Sequence, residues 1–250
     1  MPKFWRGIGV PLALIGVVLA LIVREPDRGT TILLAAVSGA MLVLAGARWK
    51  FILPPVVTGL AGFAFYLWRD PMVIRRLLAW WNPEESRLGV GYQSYEAMLA
   101  LGAGGLTGLG LGNGRQKLGF VPEHHTDFIF SIIGEELGLV GTLGVVLGFV
   151  VLVLCGICIA RRARETFGMM LAFGITCLIG LQAFINIGVV TSALPNKGLP
   201  LPFISYGGSN LLVMMTAVGI LLSIARHAPA EAAAPEAAFD APGVPAPQPT

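Results

Sequence analysis

Glu123, His125 and Asp127 fall together in the run VPEHHTDF, just ahead of an apolar stretch that starts at Phe128. A carboxylate in that position has two uses. Thr126 or Asp127 can cap a helix starting near Phe128, a contribution of ~1 kcal/mol. Alternatively, Asp127 can accept a proton from an attacking hydroxyl, which lowers a barrier by roughly 10²–10⁴-fold. Spacing alone leaves both open. Lys117 lies close in sequence, and Arg75, Arg76 and Lys197 are further cations in connections between apolar stretches. Such cations either stabilise developing negative charge or anchor a chain at a membrane interface. Glu135 and Glu136 lie two turns further along the same helix, where acids are electrostatically favourable. Cys155 and Cys158 form a CxxC inside an apolar stretch with no second ligand pair, and they read as small hydrophobes. The glycine-rich run GLTGLGLGNG does not match a nucleotide-binding fingerprint in register, and no nucleic-acid partner is expected.

These residues must be positioned by membrane helices. Hydrophobic residues are 55% of the chain and charged ones 12%, against about 25% charged in soluble domains. A span needs roughly 20 mostly apolar residues. Six stretches meet or approach this: 8–23, 30–46, 51–68, 137–160, 168–190 and 210–225. The first lacks a small-residue cleavage site and runs into the charged REPDRG turn, so it reads as a span and not as a signal peptide. The expected fold is all-α, a polytopic membrane protein of six transmembrane helices. A large, partly helical external loop separates the third from the fourth.

Charge placement sets an expected topology. With the N-terminus inside, the inner segments carry Lys3, Arg6, Arg48, Lys50, Arg161, Arg162, Arg164 and Arg226, and the short outer turns only Arg24, Arg28 and Lys197. That bias fits the positive-inside rule. Both termini are then cytoplasmic and the loop over 68–127 is external. Within that loop, 72–81 reads as an interfacial amphipathic helix and 91–105 as a helix too short and glycine-rich to span. The run 105–114 reads as a flexible turn. A helix from Phe128 to Ala160 would run about 50 Å, well beyond the ~30 Å hydrocarbon core. It must therefore bend or protrude, with Gly134 or Gly138 as the bend. The stretch 227–250 is mostly Ala and Pro and reads as a disordered cytoplasmic tail.

The stretch NIGVVTSALPNKGLPLPFISYGGSN, residues 186–210, closely resembles the signature of the FtsW/RodA/SpoVE, or SEDS, family. VPEHHTDF resembles the family's LPE-x-HTDF, with Val121 for leucine, and REPDRGTT resembles EPDxGT. Arg28 is a departure, since a hydrophobic or small residue is usual there. WNP at 81–83, IIGEELG and the long signature look most like the division-type FtsW branch. The resemblance covers 1–226, which aligns with the last six of about ten helices, so the first four are expected to be missing.

The resemblance implies an integral-membrane peptidoglycan glycosyltransferase that polymerises lipid II in the bacterial inner (cytoplasmic) membrane. It implies Asp127 as the catalytic carboxylate. It implies Arg76, Gln93, Lys117, Glu123, Lys197 and Ser205 as substrate-binding residues, with Lys197 on lipid phosphate and Glu123 tuning Asp127 or sharing a metal. Gln116 also matches a family position. No cofactor is obligatory, though a divalent cation, Mg or Mn, is an alternative to protein cations for holding the leaving pyrophosphate. The implied partners are lipid II, polyprenyl-pyrophosphate-linked glycan, a class B penicillin-binding protein and other divisome proteins. Two other readings are a lipid II flippase and a non-catalytic scaffold or truncated remnant. A transport path needs polar groups through the spans, and only Gln182 and Asn186 are polar and well embedded in them.

Overall fold

A computed structural model of the chain describes residues 9–25, 27–47, 49–82, 86–115 and 126–228. Gln116, Lys117 and Glu123 lie outside the described residues, as does the tail from residue 229 on. The described residues form helices with no strand: α1 (Val10–Arg24), α2 (Arg28–Leu44), α3 (Trp49–Trp68), α4 (Pro71–Trp81), α5 (Tyr92–Gly104), α6 (Ile129–Arg162), α7 (Thr166–Val190) and α8 (Gly208–His227). Of the six expected spans, α6, α7 and α8 are long and apolar enough to cross a membrane. The other three are apolar but shorter: α1, α2 and the stretch Val56–Phe65 of α3.

Side chains are distributed as lipid solvent dictates. Leu14, Leu147 and Leu212 are 64%, 62% and 68% exposed on the outer faces, while Ala172, Ile179 and Ala183 are buried. Lipid tails are as apolar as leucine, so helices associate through close packing of small residues. Gly156 shows this: a Cβ there would stand 2.2 Å from Thr176 Oγ1 of the neighbouring helix. α7 is the centre, packed on α2, α5, α6 and α8.

Local chemistry sets the ends of the helices that matter for the site. Asp27 caps α2, its carboxylate accepting from Thr30 N at 3.0 Å and from Thr30 Oγ1 at 2.6 Å. Asp70 caps α4, accepting from Met72 N at 2.9 Å, and Pro71 follows as the first helical residue. The expected cap of α6 is not formed. Its N-cap position is Phe128, with no side-chain cap bond, because Thr126 and Asp127 lie in a turn before the helix.

α6 bends at Gly138, where φ is 68° and ψ −161°. The bend lets the 105–115 connection dock. Leu139 N donates to Gly105 O (2.9 Å) and Val140 N to Leu106 O (3.3 Å), replacing the partners four residues back in their own helix. The Glu135 and Glu136 carbonyls, released by that exchange, accept from Leu109 N and Gly110 N, both at 3.0 Å. The turn expected to be flexible is therefore tied to α6 by four backbone bonds. A Cβ on Gly138 would stand 2.4 Å from Gly108 N, and one on Gly108 2.1 Å from Glu136 O.

Candidate active site

Leu199, Leu201, Pro202 and Ser205 of the irregular segment 198–205 are buried in the helix bundle. Leu199 packs with Leu33 and Val37 of α2, and Leu201 with Phe128, Phe130 and Ala183. A buried irregular backbone must find partners for its polar groups. The two embedded polar residues of α7 supply them. Gln182 Nε2 donates to Pro200 O at 2.9 Å. Asn186 Nδ2 donates to Leu199 O at 2.6 Å and to Asp127 O at 2.8 Å. Ser205 Oγ accepts from Leu201 N at 2.7 Å and donates to Thr126 O. The loop and the start of α6 are thus held together by one amide and one hydroxyl.

The Asp127 carboxylate lies against the backbone of Gly198, where a Cβ would stand 2.6 Å from Oδ2. Both residues line a cleft of about 500 Å³ together with Glu25, Asp27, Arg28, Arg76, Gln93, Asn196 and Lys197. Five separate segments contribute: the α1–α2 turn, α4, α5, the start of α6 and the α7–α8 connection. Gln93 Oε1 accepts from Asn196 Nδ2 at 3.3 Å, joining α5 to the α7–α8 connection. α4 is fixed at both ends. Its cap Asp70 pairs with Arg28 of α2, and Trp80 Nε1 donates to Ser192 O at 2.8 Å. Arg76 lies between these ties.

Burial pushes the Lys197 ammonium below the usual lysine range, the Arg28 and Arg76 guanidinium groups push it the same way, and Asp27 opposes them. Two guanidinium groups and one carboxylate of the cleft lining therefore act on Lys197, and Asp127 stands against Gly198, the residue after Lys197. That arrangement suits a reaction in which one carboxylate takes a proton while cations receive a departing anion. Among the described residues no group of three or more His, Cys, Asp and Glu is placed to hold a metal ion, so no step is assigned to one.

Of the expected site residues, Asp127, Arg76, Gln93 and Lys197 come together in the cleft. Ser205 is buried beside them as a brace and does not line it. Arg75 and Arg76 are both exposed, and of the two Arg76 lines the cleft. Glu135 and Glu136 accept from Arg115 N (2.7 Å) and Gly112 N (3.1 Å), a structural use. Sequence reasoning missed the Arg28–Asp70 pair and Asn196. The departure of Arg28 from the family pattern was the available signal for the first.

A model of the cell cycle protein family FtsW/RodA/SpoVE matches residues 1–230. A Geobacter metallireducens protein named "Probable peptidoglycan glycosyltransferase FtsW" is 46% identical over 221 residues, 88% of this chain and 59% of that protein. Stage V sporulation protein E of Bacillus subtilis is 41% identical over 225 residues, 90% of this chain and 62% of that one. Among solved structures, the fold is similar to a chain of a peptidoglycan synthase complex in which polymerization and crosslinking are coordinated (TM-score 0.72, 24% identity, 90% of this chain and 62% of that chain). It is also similar to the Thermus thermophilus rod shape determining protein RodA (TM-score 0.60, 24% identity, 90% of this chain and 58% of that chain). The chain spans about three-fifths of the length of the relatives it matches. With both signature motifs meeting at one cleft and the family match running over nearly its whole length, this chain belongs to the FtsW/RodA/SpoVE family.

Proposed function

We propose that the chain carries the catalytic part of a peptidoglycan glycosyltransferase that polymerises lipid II. The observation that carries this reading is the meeting of Asp127 with Arg76 and Lys197 in one cleft. A sugar hydroxyl of the acceptor attacks the anomeric carbon of the donor. Asp127 takes the hydroxyl proton, and the bond from that carbon to the polyprenyl pyrophosphate breaks. Arg76 and Lys197 hold the departing pyrophosphate, worth more in a partly dry cleft than in water. Gln93, already oriented by Asn196, binds sugar hydroxyl or amide groups. Lys117 and Glu123 join the site on the family resemblance alone. Ser205 serves the reaction indirectly, by bracing Thr126 against the signature loop.

Gln182 and Asn186, the polar groups a transport path would use, are committed to loop carbonyls, which favours polymerisation over flipping. The working site faces the outside of the inner membrane, and a class B penicillin-binding protein cross-links the product. Lipid II polymerisation tests the reading, in a chain completed to the length of its relatives and reconstituted with that transpeptidase. Asp127→Asn should lose at least ~10² in rate with unchanged membrane insertion. A variant polymerising near the wild-type rate removes Asp127 from catalysis.

A further inference from the structure

Asn186 of α7 is 1% exposed. Its amide nitrogen serves two segments at once. Nδ2 donates to Leu199 O of the signature loop at 2.6 Å and to Asp127 O ahead of α6 at 2.8 Å. Both amide hydrogens are used in those bonds. The amide oxygen is not used: among the described residues Oδ1 is buried without a hydrogen-bond partner. An orphaned buried acceptor is destabilising, and an apolar side chain of the same shape would remove it together with the two bonds. Turning the amide over would set its oxygen against two carbonyl oxygens, so its orientation is fixed. What accounts for an asparagine here is the pair of donors.

Gln182 gives the comparison. It lies one turn earlier on α7, is 4% exposed and donates to Pro200 O of the same loop at 2.9 Å. It ties the loop to α7 and does no more. Asn186 reaches on to the carbonyl of the residue whose carboxylate stands against Gly198. An aspartate carboxylate is two χ angles from its own backbone, so fixing the Asp127 carbonyl fixes the point from which the carboxylate swings. The same nitrogen holds Leu199, the residue after Gly198. One side-chain nitrogen therefore sets the carboxylate and the piece of cleft wall it leans on relative to each other.

We propose that Asn186 is the positioning residue of Asp127, and that it acts on the reaction only through where it holds that carboxylate. It does not itself line the cleft. The proposal rests on the reading of Asp127 as the proton acceptor.

The test is a double-mutant cycle in lipid II polymerisation, in the completed chain reconstituted with its transpeptidase. Each variant is first checked for monodisperse elution and helix content. Asn186→Leu should lower kcat about 10- to 100-fold, the scale of a displacement approaching 1 Å at a reacting group, with KM changed by less than about threefold. In an Asp127→Asn background the same substitution should lower the remaining rate by less than about threefold, because a group that acts through Asp127 has nothing left to position. Gln182→Leu, which removes a tie of the same loop, should give the same loss in both backgrounds. Asn186→Gln keeps both donors on a longer arm and should retain more rate than Asn186→Leu, which preserves the cycle if Asn186→Leu does not fold. Equal losses from the Asn186 substitution in the two backgrounds make Asn186 a structural tie like Gln182 and overturn the proposal, while the reading of Asp127 stands. Asn186→Leu at the wild-type rate, or failure of both Asn186 variants to fold, overturns it in the same way. An Asp127→Asn chain that polymerises near the wild-type rate takes down that reading and this proposal with it.

Discussion

Asp127 touches the signature loop at a point where only hydrogen fits. Adding a methyl at Gly198 puts a carbon 2.6 Å from Oδ2, so the carboxylate must swing away. Gly198→Ala should cost roughly 10²-fold in polymerisation, the scale of a displacement near 1 Å at a reacting group. The thermal midpoint should barely move, because Gly198 is on the exposed side of the loop. Comparing lipid II turnover with a melting curve checks both halves. Its motif singled out Asp127, and the structure sets that residue in the wall of the cleft. That it would not cap α6 was not legible, because Thr-Asp before an apolar run carries the ordinary signal of a capped helix. The tertiary bonds from Asn186 to Asp127 O and from Ser205 to Thr126 O hold those two residues in a turn instead. Such bonds join positions 59 and 79 residues apart, and no local pattern encodes them.

α4 was readable as an amphipathic helix almost to the residue, because its apolar period is 3.6 and Asp-Pro marks its start. Which arginine enters the cleft was not readable from spacing, and Arg76 was expected there on the family resemblance alone. Adjacent helical residues point about 100° apart, so the choice between Arg75 and Arg76 waits on what the helix packs against. The bend of α6 was legible for a different reason: a straight helix of that length does not fit the membrane, and glycine is where it yields. Choosing Gly138 over Gly134 required knowing that the 105–115 connection docks there. Its φ of 68° with ψ of −161° belongs to a region nearly reserved for glycine, with a cost of order 1–3 kcal/mol for other residues. Gly138→Ala adds a clash with the backbone of the docked turn. It should lower the thermal midpoint and open 105–115 to limited proteolysis. Gly144→Ala in the same helix meets nothing within 4 Å and should be neutral or slightly stabilising. Similar protease resistance in the two variants would argue against the docked turn.

Over the whole molecule, the all-helical membrane class was set by composition, whereas the count of spans was not: among the described residues α6, α7 and α8 are long and apolar enough to cross a membrane, while α1, α2 and the stretch Val56–Phe65 of α3 are apolar but shorter. The orientation proposed from positive charge has its own test. Cysteines at Ser94 and Arg162, in a background lacking Cys155, Cys158 and Cys177, should react differently with an impermeant thiol reagent on intact cells. Labelling is expected at 94 and not at 162, and the reverse pattern inverts the topology. The molecule also differs from place to place in how it can recover from mutation. A methyl added at Gly174 meets the flexible side chain of Met41, and one at Gly29 meets Leu199, so a smaller partner can restore the fit. At Gly108 and Gly138 the obstructing atoms are backbone on both sides. No second substitution can shrink a peptide group. Intragenic suppressors can therefore arise for lesions where α2 meets α7 and the signature loop, but the corner where the 105–115 turn meets α6 offers selection no way back except reversion.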